Sequence, residues 1–152
     1  MGRVLTPAEA LARVPQQEPF RFVDELSELS AERAVGRYRW RPNADFYRGH
    51  FPGNPVTPGV LLVESMAQCG VVPIALFLFY RELDEAEAEK FQTLFTDAQV
   101  DFSGVVRPGD LVTTESRVLF YRRRKLRVEA SMTTEDGKVV CSGQLAGMGV
   151  PR

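Results

Sequence analysis

From Val60 to Tyr80 the chain is apolar on nearly every side of a helix and carries one charge, Glu64. A helix of that kind cannot rest on a surface with one face in water; it has to be enclosed. Its most apolar part, Cys69 to Tyr80, is too short to span a bilayer and contains Pro73, so a buried helix with a kink or break at Pro73 is expected rather than a membrane span. Whatever encloses it must come from the rest of a 152-residue chain, a length that suits one domain over residues 1–152.

The flanking sequence supplies strands. Thr6-Pro7-Ala8-Glu9 has the form of a capping box and predicts a short helix ending at Val14, before Pro15. Phe20–Leu29 reads as a strand, and Arg33–Trp40 alternates more cleanly, with Ala34, Gly36, Tyr38 and Trp40 on one side. Ser30-Ala31-Glu32 joins the two as a hairpin. Thr57 is placed to cap the long helix with Pro58 at its first position. Arg81–Lys90 is a charged connection, a solvated loop or short surface helix. Four strand-like segments follow: Phe91–Phe102, Leu111–Tyr121, Leu126–Thr133 and Val139–Met148. Arg107-Pro108-Gly109-Asp110 and Asp136-Gly137 mark turns between them. Several antiparallel strands and one apolar helix predict an α+β fold in which a sheet curls around the helix.

Charge and cysteine usage narrow the function. A net charge of −1 offers no general attraction to nucleic acid or an anionic membrane. Two cysteines and one histidine lack metal-site spacing, so no metal is expected. The N-terminus has no long apolar run, and a cytoplasmic protein is expected.

Against that background one region stands out. His50, the only histidine, sits in the Gly- and Pro-rich stretch Gly49–Gly59 directly ahead of the apolar helix. Histidine takes and gives protons near neutrality. Glu64 lies fourteen positions later among Leu61, Leu62, Val63 and Met66, where desolvation favours the protonated carboxyl a general acid needs. Gln68, four residues on, shares its face and can orient it. Gly59 offers a helix-start N–H to a carbonyl oxygen with no side chain in the way. Base, acid and donor suit proton abstraction next to a carbonyl followed by loss of a leaving group. Each residue also has a structural role open to it: a loop histidine can brace a turn, and a lone glutamate can pair with an arginine.

The run Gly49-His50-Phe51-Pro52-Gly53-Asn54-Pro55-Val56-Thr57-Pro58-Gly59-Val60-Leu61-Leu62-Val63-Glu64-Ser65-Met66-Ala67-Gln68 closely resembles the signature of the β-hydroxyacyl–acyl-carrier-protein dehydratases, G-H-F-P-x-x-P-x-x-P-G-V-L-x-x-E-x-x-A-Q. Pro19-Phe20-Arg21-Phe22-Val23-Asp24 and Val106-Arg107-Pro108-Gly109-Asp110 are similar to that family's P-F-x-x-V-D and V-x-P-G-D elements. The resemblance implies a hot-dog fold, a curved antiparallel sheet wrapped around one long central helix. It implies homodimers, in some members trimers of dimers, whose active sites take the histidine from one subunit and the acid from the other. It implies removal of water from a (3R)-hydroxyacyl thioester to give a trans-2-enoyl thioester in fatty-acid or related lipid or polyketide synthesis. His50 would take the C2 proton and Glu64 would protonate the departing hydroxyl. Gly59 N–H would hold the thioester oxygen and Gln68 would position Glu64.

No cofactor is implied beyond the phosphopantetheine arm of the acyl carrier protein that brings the substrate. An apolar tunnel beside the helix, touching Val60 or Phe77, would take the acyl tail. The basic run Arg122-Arg123-Arg124-Lys125 is either a docking patch for the acidic carrier or a solvated hairpin turn. Glu64 favours the plain dehydratase over a sister group that usually carries Asp there and also isomerises the double bond. Thr57 departs from the family, which often has Met at that place. Two other readings remain: a hot-dog acyl thioesterase, and a non-catalytic acyl-carrier-binding subunit. His50 and the intact Gly49-His50-Phe51-Pro52 run argue against the first, which would use an acid on the helix without the histidine, and the retention of both His50 and Glu64 argues against the second.

Overall fold

The computed structural model describes residues 2–152. Its central feature is the apolar helix, Gly59–Glu82. The helix runs without interruption but not uniformly: Gly59–Met66 and Val72–Glu82 are α-helical, and Ala67–Val71 between them is a π-helical turn. The widened turn lies immediately ahead of Pro73, whose missing N–H could not have served a regular ladder. The chain therefore answers the proline with a change of helix type rather than a break.

Six strands enclose this helix: β1 (Glu25–Leu29), β2 (Arg33–Arg39), β3 (Phe91–Phe102), β4 (Leu111–Arg122), β5 (Lys125–Thr134) and β6 (Val139–Pro151). They form one curved sheet in the order β1-β2-β4-β5-β6-β3, with every neighbouring pair antiparallel. The alternation read from Arg33–Trp40 holds, since Ala34, Gly36, Tyr38 and Trp40 are all buried. All four strand-like segments of the last third are separate strands, and Gly109 (φ +90°) and Gly137 (φ +83°) make the turns before β4 and β6.

Small residues set how closely helix and sheet approach. A Cβ at Gly36 would lie 2.7 Å from Cys69 Cβ, and one at Gly70 would run into the Ser116 hydroxyl. The helix thus lies against β2 and β4 at its π-helical turn. Beside it, Phe22, Tyr38 and Trp40 form an aromatic cluster: Trp40 stacks on Phe22 at 5.4 Å and meets Tyr38 edge-on at 4.8 Å. Deleting a ring as enclosed as Trp40 costs about 3–5 kcal/mol.

A short helix α1, Pro7–Arg13, opens the chain, closed by the expected capping box between Thr6 and Glu9 and ending at Val14. A single turn, Glu85–Ala88, capped by Asp84, follows the central helix.

The strand expected over Phe20–Leu29 begins only at Glu25. Side chains of the central helix occupy the backbone groups ahead of it. Phe22 N–H donates to Gln68 Oε1 at 2.6 Å, Phe20 C=O accepts from Gln68 Nε2 at 3.1 Å, and Phe22 C=O accepts from Ser65 Oγ at 2.8 Å. A backbone committed to side-chain partners cannot also serve a neighbouring strand.

Candidate active site

His50 is carried by a loop that follows a 3-10 turn, Asp45–Arg48. The loop is held by its own backbone. His50 N–H donates to Phe46 C=O (3.0 Å), Val56 N–H donates to His50 C=O (2.9 Å), and Phe51 and Asn54 exchange N–H···O bonds of 3.2 and 2.9 Å. Gly53 at φ +73° makes the tight reversal at the tip, a conformation that favours glycine. The imidazole Nδ1 lies 2.7 Å from Val56 C=O. A carbonyl only accepts, so Nδ1 carries the proton in the neutral ring and Nε2 is left with its lone pair free. The loop thereby presents a base, not merely a histidine.

Glu64 stands in the second turn of the central helix. Gln68 Nε2 donates to its Oε2 at 2.9 Å. Burial holds the Glu64 carboxyl above the usual glutamate value, partly opposed by that hydrogen bond. Gln68 is itself fully buried, and its four-residue offset, Phe22 N–H and Phe20 C=O together leave it one orientation. The carboxyl faces a cavity of about 340 Å³ whose other walls include Phe20, Ala67, Val71, Leu94 and Phe95. An acid in a mostly apolar cavity, biased towards its protonated form, is equipped to give up a proton.

Gly59 begins the helix. Leu61 and Leu62 N–H both turn back to Pro58 C=O, and the Gly59 N–H ahead of them has no acceptor within the helix. The Phe102 ring of β3 covers this point: a Cβ on Gly59 would sit 3.1 Å from Phe102 Cε1. Thr57 does not cap the helix. The N-cap is Pro58 with no side-chain bond, because the Thr57 hydroxyl is already engaged with Tyr47 Oη at 2.6 Å.

Within one chain these parts do not meet. His50 is not among the residues lining the Glu64 cavity; its side chain touches Val56 C=O and stacks on Phe51 at 4.2 Å. Around both halves lies exposed apolar surface, notably Phe51, Val60, Leu94, Phe95 and Phe102, and β3 is an edge strand of the sheet.

A family model described as the FabA-like domain matches residues 14–145. The chain belongs to the FabA-like domain family. A 3-hydroxyacyl-[acyl-carrier-protein] dehydratase FabZ from Caldicellulosiruptor saccharolyticus is 37% identical over 134 residues, 87% of this chain and 89% of the relative. Among solved structures, the dehydratase heterocomplex ApeI:P from Xenorhabdus doucetiae is similar at TM-score 0.74 and 15% identity, over 97% of this chain and 93% of that one. A thioesterase from Haemophilus influenzae is similar at TM-score 0.68 and 14% identity, over 99% and 94%. These two structural likenesses share the fold, which is the hot-dog fold.

The FabA-like framework also shows where the remaining sequence expectations fall. Val60 is 77% exposed in the first helical turn, whereas Phe77 is buried beyond the π-helical turn. Neither lines the Glu64 cavity, whose walls within one chain include Phe20, Ala67, Val71, Leu94 and Phe95. Ala67 and Val71 follow Glu64 on its own helical face. Arg122–Lys125 is the turn between β4 and β5, with Arg123 and Arg124 at φ 52° and 61°. Arg122, Arg123 and Lys125 rim an apolar dimple floored by Phe120 and Met148, while Arg124 lies over the Phe91 ring at 4.5 Å.

Sequence reasoning missed Ser65 and Tyr47. Ser65 was one helix residue among many, and its bond to Phe22 C=O spans 43 positions. Tyr47 carried no signal, though a threonine at an apolar family position, Thr57, was a cue that some hydroxyl partner lay nearby.

Proposed function

We propose that this protein is a (3R)-hydroxyacyl-[acyl-carrier-protein] dehydratase of the plain, Glu-bearing type. The observation that carries this reading is Glu64: one acid, held by a buried glutamine and biased towards protonation, in a mostly apolar cavity that Gln16 and Thr93 also line. In the scheme, His50 Nε2 takes a proton from C2 while Gly59 N–H steadies the charge that gathers on the thioester oxygen. The C2–H electron pair becomes the C2=C3 double bond, and the C3–O bond breaks. Glu64 donates its proton to the departing hydroxyl, which leaves as water. Transfer of a proton from His50 to Glu64 then resets both groups. No electrons are gained or lost overall, and the scheme uses two side chains and one backbone N–H.

The working unit in this reading is a homodimer paired through β3, with His50 of one subunit facing the partner subunit's Glu64. The free edge and exposed apolar residues of β3, and the separation of His50 from the cavity within one chain, support it. The acyl carrier protein docks its acidic surface on the β4–β5 turn, where Arg122, Arg123 and Lys125 surround the Phe120–Met148 dimple and Arg124 adds charge. The setting is cytoplasmic fatty-acid or related lipid synthesis.

The test is intact-protein mass spectrometry of a carrier protein loaded with (3R)-hydroxyacyl chains of several lengths. Loss of one water with wild type but not with His50→Ala supports the dehydratase. Release of the acyl group instead means a thioesterase. No change at any length with a competent dimer overturns the catalytic reading.

A further inference from the structure

The loop that carries His50 closes on itself through two hydroxyls. Tyr47 lies just before the loop and Thr57 just after it, and Tyr47 Oη is 2.6 Å from Thr57 Oγ1. Both residues are buried, 5% and 3% exposed, so no bulk water stands ready to replace either partner. Everything between them, residues 48–56, forms a ring containing His50, its Nδ1 acceptor Val56, and the Gly53 reversal. Each side of the clasp is anchored in the body of the protein. Tyr47 packs on Phe46 at 4.6 Å, and Phe46 on Trp40 at 6.4 Å. Thr57 N–H donates to Val106 C=O at 2.8 Å.

We propose that the Tyr47–Thr57 hydroxyl pair is a positioning device for His50. It fixes the neck of the loop, so that Val56 C=O stays within reach of Nδ1 and the ring stays in the tautomer with Nε2 free. Neither residue touches the reacting atoms; both act through the loop. Most other bonds of the loop are backbone bonds between its own residues and set its internal shape, while the His50 N–H bond to Phe46 C=O ties its entering end to the aromatic cluster. Among the described residues, the clasp and the Thr57–Val106 bond tie its leaving end to the body of the protein. Loss of one hydroxyl leaves the other buried without a partner, which favours a loop shifted towards water. Displacements of an ångström at a catalytic group can cost about a hundredfold in rate.

This inference rests on the dehydratase reading for its kinetic arm but not for its spectroscopic arm. His50 is the sole histidine, so tag-free protein labelled with ¹⁵N-histidine gives one pair of ring nitrogen signals. In wild type the pair is expected to be widely split, as a fixed Nδ1–H tautomer requires. In Tyr47→Phe and in Thr57→Val the two signals should move towards each other. The kcat should fall about tenfold or more in each, with KM little changed. Thr57→Ser keeps a hydroxyl and should restore both readouts. The double variant, which leaves no orphan, should lose less than the product of the two single losses.

Wild-type signals and wild-type kcat in both single variants would overturn the proposal. So would a kcat loss that follows a lowered melting temperature, with unmoved His50 signals and no rescue by Thr57→Ser. If wild type dehydrates no thioester, the functional reading fails, and the ring signals still decide the clasp. If Thr57→Val does not fold, Tyr47→Phe and Thr57→Ser carry the comparison.

Discussion

The two halves of the proposed site are held in opposite ways. His50 is secured by near neighbours, Phe46 and Val56, through backbone atoms of its own loop. Glu64 is secured by distant ones: its partner Gln68 is locked by Phe20 and Phe22, 48 and 46 positions away in sequence. The histidine therefore depends on a local shape, made by turn chemistry and held at its neck by the Tyr47–Thr57 clasp. The acid depends on the folded core, because without the helix packed against the Phe20–Phe22 segment Gln68 has nothing to hold it. Local construction suits a base that needs one free nitrogen. Core construction suits an acid whose value lies in being kept from water.

The sharpest way to break this contrast is to remove the two groups proposed to react. His50→Ala and Glu64→Ala should each lower kcat by about a thousandfold, read by water loss from the loaded carrier, while the protein stays folded. Gln68→Leu comes next and tests whether the core side is the fragile one. It strands the Phe22 N–H, so melting should show a loss of about 1–3 kcal/mol along with a large drop in kcat. A variant that melts like wild type would mean the Phe20–Phe22 segment has another support.

Gly59→Val should act through crowding. Its side chain must displace the Phe102 ring, and a several-fold fall in kcat/KM is expected, measured on the same substrate. The smallest effect concerns Glu64→Gln and stability. Because the folded Glu64 value is raised by burial, the folded state holds its proton more tightly than the unfolded chain. Wild-type stability then falls as pH rises from the ordinary glutamate value through the folded one. The variant does not titrate there, so its melting temperature should gain slightly on wild type between pH 4 and pH 7. Equal curves at both ends would show a carboxyl that sees water freely.

The contrast also explains what could be read from the chain. The His50 loop was legible because glycine and proline at fixed spacing leave few backbone shapes, and the structure places His50, Gly53 and Gly59 accordingly. The enclosed helix and the curled sheet followed from apolar surface that had to be covered. What escaped were bonds between residues far apart in sequence. Nothing in Phe20–Leu29 announced that Gln68 and Ser65 would claim its first backbone groups, so the strand was drawn too long. Thr57 read as a helix cap because local chemistry favours that role, and only the fold shows Tyr47 taking its hydroxyl. The π-helical turn escaped too: Pro73 announced a kink or a break, and only the fold shows a change of helix type at Ala67–Val71.

That point has a consequence of its own. A π-helical turn is an α-helix with one residue too many. Each added residue advances a helix by about 100°. Ala67–Val71 therefore divides the helix into two stretches with independent phase, one carrying Glu64 and the other seating Ile74, Leu78 and Phe79 in the core, and the turn itself holds Gln68 against Glu64. Deleting one residue from the turn would yield a more regular helix and a worse protein, since either the acid or the core would be rotated out of place. The irregularity works as a splice between two requirements that a single ideal helix could not meet together.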